Sequence, residues 1–89
     1  MGSVKVFVKE GCSRCPGAMD VAGKLRREGY EVYEYDLDTA EGMAEGAFFG
    51  VMSTPTMLVV DSLENAVTAW RGEVPSHSDV KSALKAANF

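Results

Sequence analysis

Two periodicities, one of two residues and one of about 3.6, divide this chain into strands and helices. Val4 to Lys9 reads as a strand, with Val4, Val6 and Val8 pointing one way and Phe7 the other. Apolar side chains on both faces suit a central strand of a covered sheet. Glu10-Gly11 breaks the run. Ala18, Val21, Ala22 and Leu25 then recur at i, i+3, i+4 and i+7, the buried stripe of a helix from near Cys12 to about Glu28. Pro16 is tolerated because it lies in the first turn. Arg26 and Arg27 complement the dipole of the last turn, and Gly29 supplies a left-handed stop.

Val32 to Leu37 is a second strand. Glu34 and Asp36 share a face with Val32, which places this strand at an edge. Asp38-Thr39-Ala40-Glu41 has capping-box spacing with Asp38 as the cap, and opens a short helix to about Phe48. Gly50 ends it. Ser53-Thr54-Pro55 leads into the apolar run Thr56 to Val60. A turn at 61–65 precedes a fourth strand, Ala66 to Trp70, closed by Arg71-Gly72. Ser76 or Ser78 caps a last helix whose stripe is Val80, Ala83, Leu84 and Ala87. The order is β-α-β-α-β-β-α. It predicts an α/β domain over residues 1–89: a right-handed βαβ crossover, then a hairpin, in a mixed four-stranded sheet flanked by helices.

Composition adds exclusions. Apolar residues make up 46% and charged residues 25%, ordinary for a globular chain. The net charge is −4, and the nine Lys and Arg are scattered, so neither a nucleic-acid groove nor a polybasic membrane patch is expected. No basic segment followed by an apolar stretch suggests a signal peptide, and no apolar run approaches the ~20 residues of a membrane span. The cytoplasm is the expected compartment. Only two cysteines occur, Cys12 and Cys15, too close in sequence to staple a fold. In a reducing compartment such a pair serves catalysis or metal binding rather than structure.

Cys12-Ser13-Arg14-Cys15 falls between a central strand and a helix. The first amides of a helix lack acceptors and its dipole is positive there. The amides of Ser13, Arg14 and Cys15 are expected to converge on the Cys12 sulfur, with Arg14 as an added cation. A thiol in that field ionises well below the ordinary cysteine value. Cys12 is then the nucleophile, and Cys15, three residues on, the resolving thiol. A zinc site lacks ligands: there is no third cysteine, and His77, the one histidine, is expected as a solvated or capping imidazole. Ser53-Thr54-Pro55-Thr56 adds a second mark. A cis Thr54-Pro55 bond would turn the backbone of Thr54 toward the sulfurs, ready to pair with an extended substrate. Phe48, Phe49, Val51 and Met52 read as core and helix end, with an apolar rim near the site as the second reading. Trp70, Tyr30, Tyr33 and Tyr35 read as sheet packing.

In combination, the strand Val4–Val8, the Gly11-Cys12-Ser13-Arg14-Cys15 turn, Thr54-Pro55 before the third strand and Gly72 after the fourth resemble the thioredoxin/glutaredoxin superfamily over nearly the whole chain. The resemblance implies a dithiol-disulfide oxidoreductase with catalytic Cys12 and Cys15, substrate contacts at Ser13, Arg14, Thr54 and Pro55, and no bound cofactor. Ser13-Arg14 replaces the Pro-Tyr of glutaredoxins and the Gly-Pro of thioredoxins. Lys5-Val6 stands where thioredoxins keep a buried carboxylate. Arg71-Gly72-Glu73 lacks the Gly-Gly and acidic pair of glutathione-binding relatives. The implied partners are protein disulfides and a thioredoxin-reductase-like flavoprotein fed by NADPH, with glutathione ranked second as electron source, and the implied state is a monomer. The alternative is a metal-binding module like a copper chaperone, which also carries C-x-x-C after its first strand but runs β-α-β-β-α-β.

Overall fold

The computed structural model describes residues 2–87. The elements are β1 (Ser3–Val8), α1 (Cys15–Arg27), β2 (Val32–Asp36), α2 (Ala40–Phe48), β3 (Thr56–Val60), β4 (Ala66–Arg71) and α3 (His77–Ala87). All four strands join one sheet in the order β2-β1-β3-β4. β1 runs parallel to β2 and antiparallel to β3, and β3 runs antiparallel to β4. The fold class and element order are those the sequence predicts. β2 is the edge strand that Glu34 and Asp36 require, and in central β3 every residue is buried.

Each face of the sheet carries its own core. Val4, Val6, Met57 and Val59 pack against Ala18, Ala22 and Leu25 of α1 and against Val80 and Leu84 of α3. On the opposite face Phe7, Leu58 and Val60 are covered by Tyr35, Leu37, Phe49 and Val51. Phe7 stacks on Tyr35 with ring centroids 5.2 Å apart. The alternation read in β1 thus sorts its side chains between two cores.

Helix ends follow local chemistry, with two departures from expectation. α1 begins at Cys15 rather than near Cys12, because Pro16 fits the first turn, where a missing N–H costs nothing. It ends as Gly29 predicts. With Gly29 at φ +94°, its N–H reaches the Arg26 carbonyl (3.0 Å) and the Tyr30 N–H the Leu25 carbonyl (3.1 Å). The cap of α2 is Thr39, not Asp38: Thr39 Oγ1 accepts from the Gly42 N–H at 3.0 Å. Asp38 instead spends its N–H on Asp36 Oδ1 (2.8 Å), which fixes the turn ahead of the helix. Of the two candidates at α3, Ser76 is the cap, accepting from the Asp79 N–H at 3.1 Å. His77 pairs across to Glu28, 2.7 Å from its Oε1, and so ties the start of α3 to the end of α1.

Lys5 shares the Phe7 face and is only 3% exposed. Its Nζ lies 2.5 Å from Glu45 Oε2 and 2.9 Å from Glu64 Oε1, and 4.9 Å from the centre of the Phe49 ring. Burial alone pulls the Lys5 pKa down, but the hydrogen bonds to Glu45 and Glu64 outweigh it and raise the pKa above the ordinary value. The stability this group adds is therefore complete below the ordinary lysine pKa and lost as pH rises through the raised one. The cluster is asymmetric, since the Glu45 and Glu64 side chains keep 28% and 58% of their exposure. Glu45→Gln strands a buried ammonium on one solvated partner, whereas Lys5→Met leaves carboxylates that water can reach. We expect Glu45→Gln to cost about 1–3 kcal/mol more than Lys5→Met in denaturant unfolding at neutral pH. Equal costs would show that the ammonium is not the group at risk.

Candidate active site

Register brings the site together. β1 and β3 pair antiparallel with Phe7 opposite Thr56, so the chain leaving β1 toward Cys12 runs beside the chain entering β3 through Pro55. Thr56 in turn faces Arg71, and the Gly72 N–H donates to the Pro55 carbonyl at 2.8 Å. Three segments distant in sequence thus meet at one end of the sheet. A cleft of about 380 Å³ lies between them, lined by Gly11, Cys12, Ser13, Arg14, Thr54 and Gly72. A larger depression of about 540 Å³ around Lys5, Tyr33 and Tyr35 shares no residue with it.

The sulfurs are joined as a Cys12–Cys15 disulfide, with Cα atoms 5.4 Å apart, inside the usual range for a bridge. Gly11 turns the chain at φ +81°, a conformation that L side chains rarely adopt. The Cys12 N–H reaches the Lys9 carbonyl at 3.3 Å, and the Cys15 N–H the Cys12 carbonyl at 3.3 Å. Because α1 begins three residues later than expected, Cys12 stands ahead of the helix and Cys15 is its first residue. The Cys15 amide is engaged by the Cys12 carbonyl. Exposure separates the two thiol positions: Cys15 is 6% exposed and Cys12 half-buried on the cleft.

The Thr54-Pro55 peptide bond is cis, and Pro55 is buried beneath the cleft. Thr56 Oγ1 donates to the Ser53 carbonyl at 2.7 Å and holds the loop to the strand start. Arg14 projects from between the cysteines and donates from Nη1 to the Gly72 carbonyl at 2.9 Å, bridging the two walls. Cys12, Ser13, Arg14 and Thr54 therefore line one cleft, with Cys15 and Pro55 beneath it. The segment Phe48–Met52 divides: Phe49 and Val51 pack on the second core, while Phe48 and Met52 are 73% and 92% exposed. Gly72, which sequence reading used only as a family mark, is a wall of the site. Lys5-Val6 supplies no group to the sulfurs: Val6 belongs to the first core and Lys5 to the opposite face.

Fold and sulfur pair together define a dithiol-disulfide oxidoreductase. The family model described as Thioredoxin domain matches residues 2–85, and the chain belongs to that family. It is similar in structure to a point mutant of a thioredoxin from Halobacterium salinarum, with a TM-score of 0.81 at 18% identity over 97% of this chain and 74% of that one. A thioredoxin 1 from Thermosipho africanus gives a TM-score of 0.74 at 18% identity over 94% of this chain and 91% of that one. The reduced Schistosoma mansoni thioredoxin pre-protein gives 0.77 at 17% identity over 98% and 79%. A search of curated protein sequences returned no match. The β-α-β-β-α-β order required by the copper-chaperone alternative is not the order found. Among the described residues no helix is long and apolar enough to cross a membrane.

Proposed function

We propose that this chain reduces disulfides in protein substrates, cycling between a Cys12/Cys15 dithiol and the Cys12–Cys15 disulfide. The observation that carries this reading is the unequal exposure of the two sulfur positions on a cleft that an extended peptide can enter. In the reduced state the Cys12 thiolate attacks one sulfur of the substrate disulfide. A Cys12–substrate disulfide forms, and the first substrate thiolate leaves and takes a proton. Cys15 then loses its proton to water and attacks the Cys12 sulfur. The protein disulfide forms and the second substrate thiol leaves. Two electrons pass from the dithiol to the substrate, and an external reductant restores them.

The end of α1 nearest the sulfurs favours the Cys12 thiolate through its dipole. The backbone of Thr54, set by Pro55, is the pairing surface for the substrate chain, and Ser13 and Arg14 border it. A thioredoxin-reductase-like flavoprotein fed by NADPH is the electron source in this reading, and the protein works as a cytoplasmic monomer without a bound cofactor. The test is a pair of coupled assays with a disulfide-bonded protein as substrate. One uses NADPH and thioredoxin reductase, the other glutathione and glutathione reductase. Turnover in the first is expected. Turnover only in the second would move the electron source to glutathione, and turnover in neither, with a pre-reduced sample also inactive, would overturn the reductase reading. Titration of the Cys12 thiol is expected to give a value below that of free cysteine.

A further inference from the structure

Among the described residues that line the cleft, Arg14 carries the one charged side chain. Lys5, Arg26 and Lys81 are paired with carboxylates. Arg14 and Arg71 are not: they donate to the Gly72 carbonyl at 2.9 Å and the Gly50 carbonyl at 3.3 Å. Among the described residues neither forms an ion pair. Among the described residues the Arg14 guanidinium thus has no carboxylate partner of its own.

A guanidinium has five N–H donors in a planar fork that matches a carboxylate. One bond to a neutral carbonyl leaves most of the Arg14 fork unused. That bond also crosses the cleft, from the loop between the sulfurs to the glycine on the opposite wall. A segment lying along Thr54 toward Gly72 has to displace it.

We propose that Arg14 is a specificity-determining residue that selects disulfides flanked by a carboxylate, and that its bond to Gly72 is a strap released by an acidic segment. The proposal rests on the reading of the cleft as a disulfide-reducing site. A substrate carboxylate replaces the displaced neutral bond with a charge-assisted one, about twice as strong. A neutral side chain replaces it with nothing, and a lysine adds repulsion. Selectivity therefore comes from an exchange of partners at Arg14, in addition to any long-range attraction.

The test uses the reduced protein and two disulfide-bridged peptides that differ only in a Glu or a Lys beside the bridged cysteine. Neutral bis(2-hydroxyethyl) disulfide is the third substrate. The readout is the ratio of kcat/KM for the two peptides, because a change in Cys12 reactivity acts on both alike. The wild type is expected to prefer the Glu peptide about fivefold at low ionic strength, falling toward parity in high salt. Arg14→Gln should bring the ratio to about one, Arg14→Lys should keep part of it, and Arg14→Glu should reverse it. Turnover of the neutral disulfide with equal peptide rates in the wild type, or a preference that survives Arg14→Glu, overturns this proposal alone. No turnover of any of the three substrates overturns the reductase reading and the proposal with it.

Discussion

Cys12→Ser is expected to lower the rate of protein-disulfide reduction at least about a thousandfold, because no second thiol lines the cleft and a hydroxyl does not exchange with a disulfide. Cys15 cannot stand in for it. At 6% exposure its sulfur lies beneath the surface that a substrate disulfide reaches. The reciprocal change has a different signature. In Cys15→Ser the first attack proceeds, and the mixed disulfide with substrate then persists, because the thiol that would resolve it is gone. Non-reducing gels and intact-mass measurement after mixing with an oxidised protein distinguish the two variants. The expected pattern is a covalent adduct with Cys15→Ser and none with Cys12→Ser. The reverse pattern would exchange the two roles. Adducts of equal yield would show that burial does not order the attack.

The parts of this site legible in the sequence are those whose chemistry is local. A C-x-x-C between an apolar strand and a helical stripe fixes its own place. X-Pro before an apolar run marks a strand entry. Gly29 stops α1 through its own backbone freedom, needing no tertiary partner. What was not legible depends on residues brought from elsewhere. The cap of α2 moved from Asp38 to Thr39 because Asp38 was drawn into the turn by Asp36, a competition that spacing alone does not reveal. The Arg14 bridge needs Gly72, 58 residues away in sequence.

Lys5 is the instructive case. A lysine that shares a face with Phe7 in a central strand has to be buried, and a buried ammonium needs a counter-charge. That much was available from the alternation in β1. The identity of the partners, Glu45 on α2 and Glu64 in the turn before β4, was not, since both lie far from Lys5 in sequence. That Phe48 and Met52 are exposed while Phe49 and Val51 are covered was not legible for the same reason. A run of apolar residues at a helix end does not say which of them the neighbouring sheet will cover.

The second large effect concerns the packing of α2 on the sheet. Gly42→Ala is expected to destabilise the protein by about 2–3 kcal/mol, although alanine is the better helix former by about 1 kcal/mol. A Cβ at Gly42 would overlap the Asp36 carbonyl oxygen and stand 3.0 Å from Thr39 Oγ1. Neither atom is free to retreat. The Asp36 carbonyl accepts from Thr39 Oγ1 at 2.7 Å and from the Thr39 N–H at 3.0 Å, and Asp36 itself is held in β2 opposite Val8. Relief requires α2 to lift from the end of β2, which breaks its cap and uncovers the core around Phe7. Two substitutions of the same kind isolate this cause. At Gly46 the obstacle is the tip of the Leu37 side chain, at 2.9 Å, which can rotate; at Gly23 it is the end of the Arg27 side chain, at 3.4 Å. Gly23→Ala is therefore expected to stabilise by up to about 1 kcal/mol, and Gly46→Ala to change stability little. In thermal unfolding Gly42→Ala should lower Tm by about 10 °C or more. If all three variants moved Tm in the same direction, backbone propensity would govern these sites and the closeness of α2 to Asp36 would not.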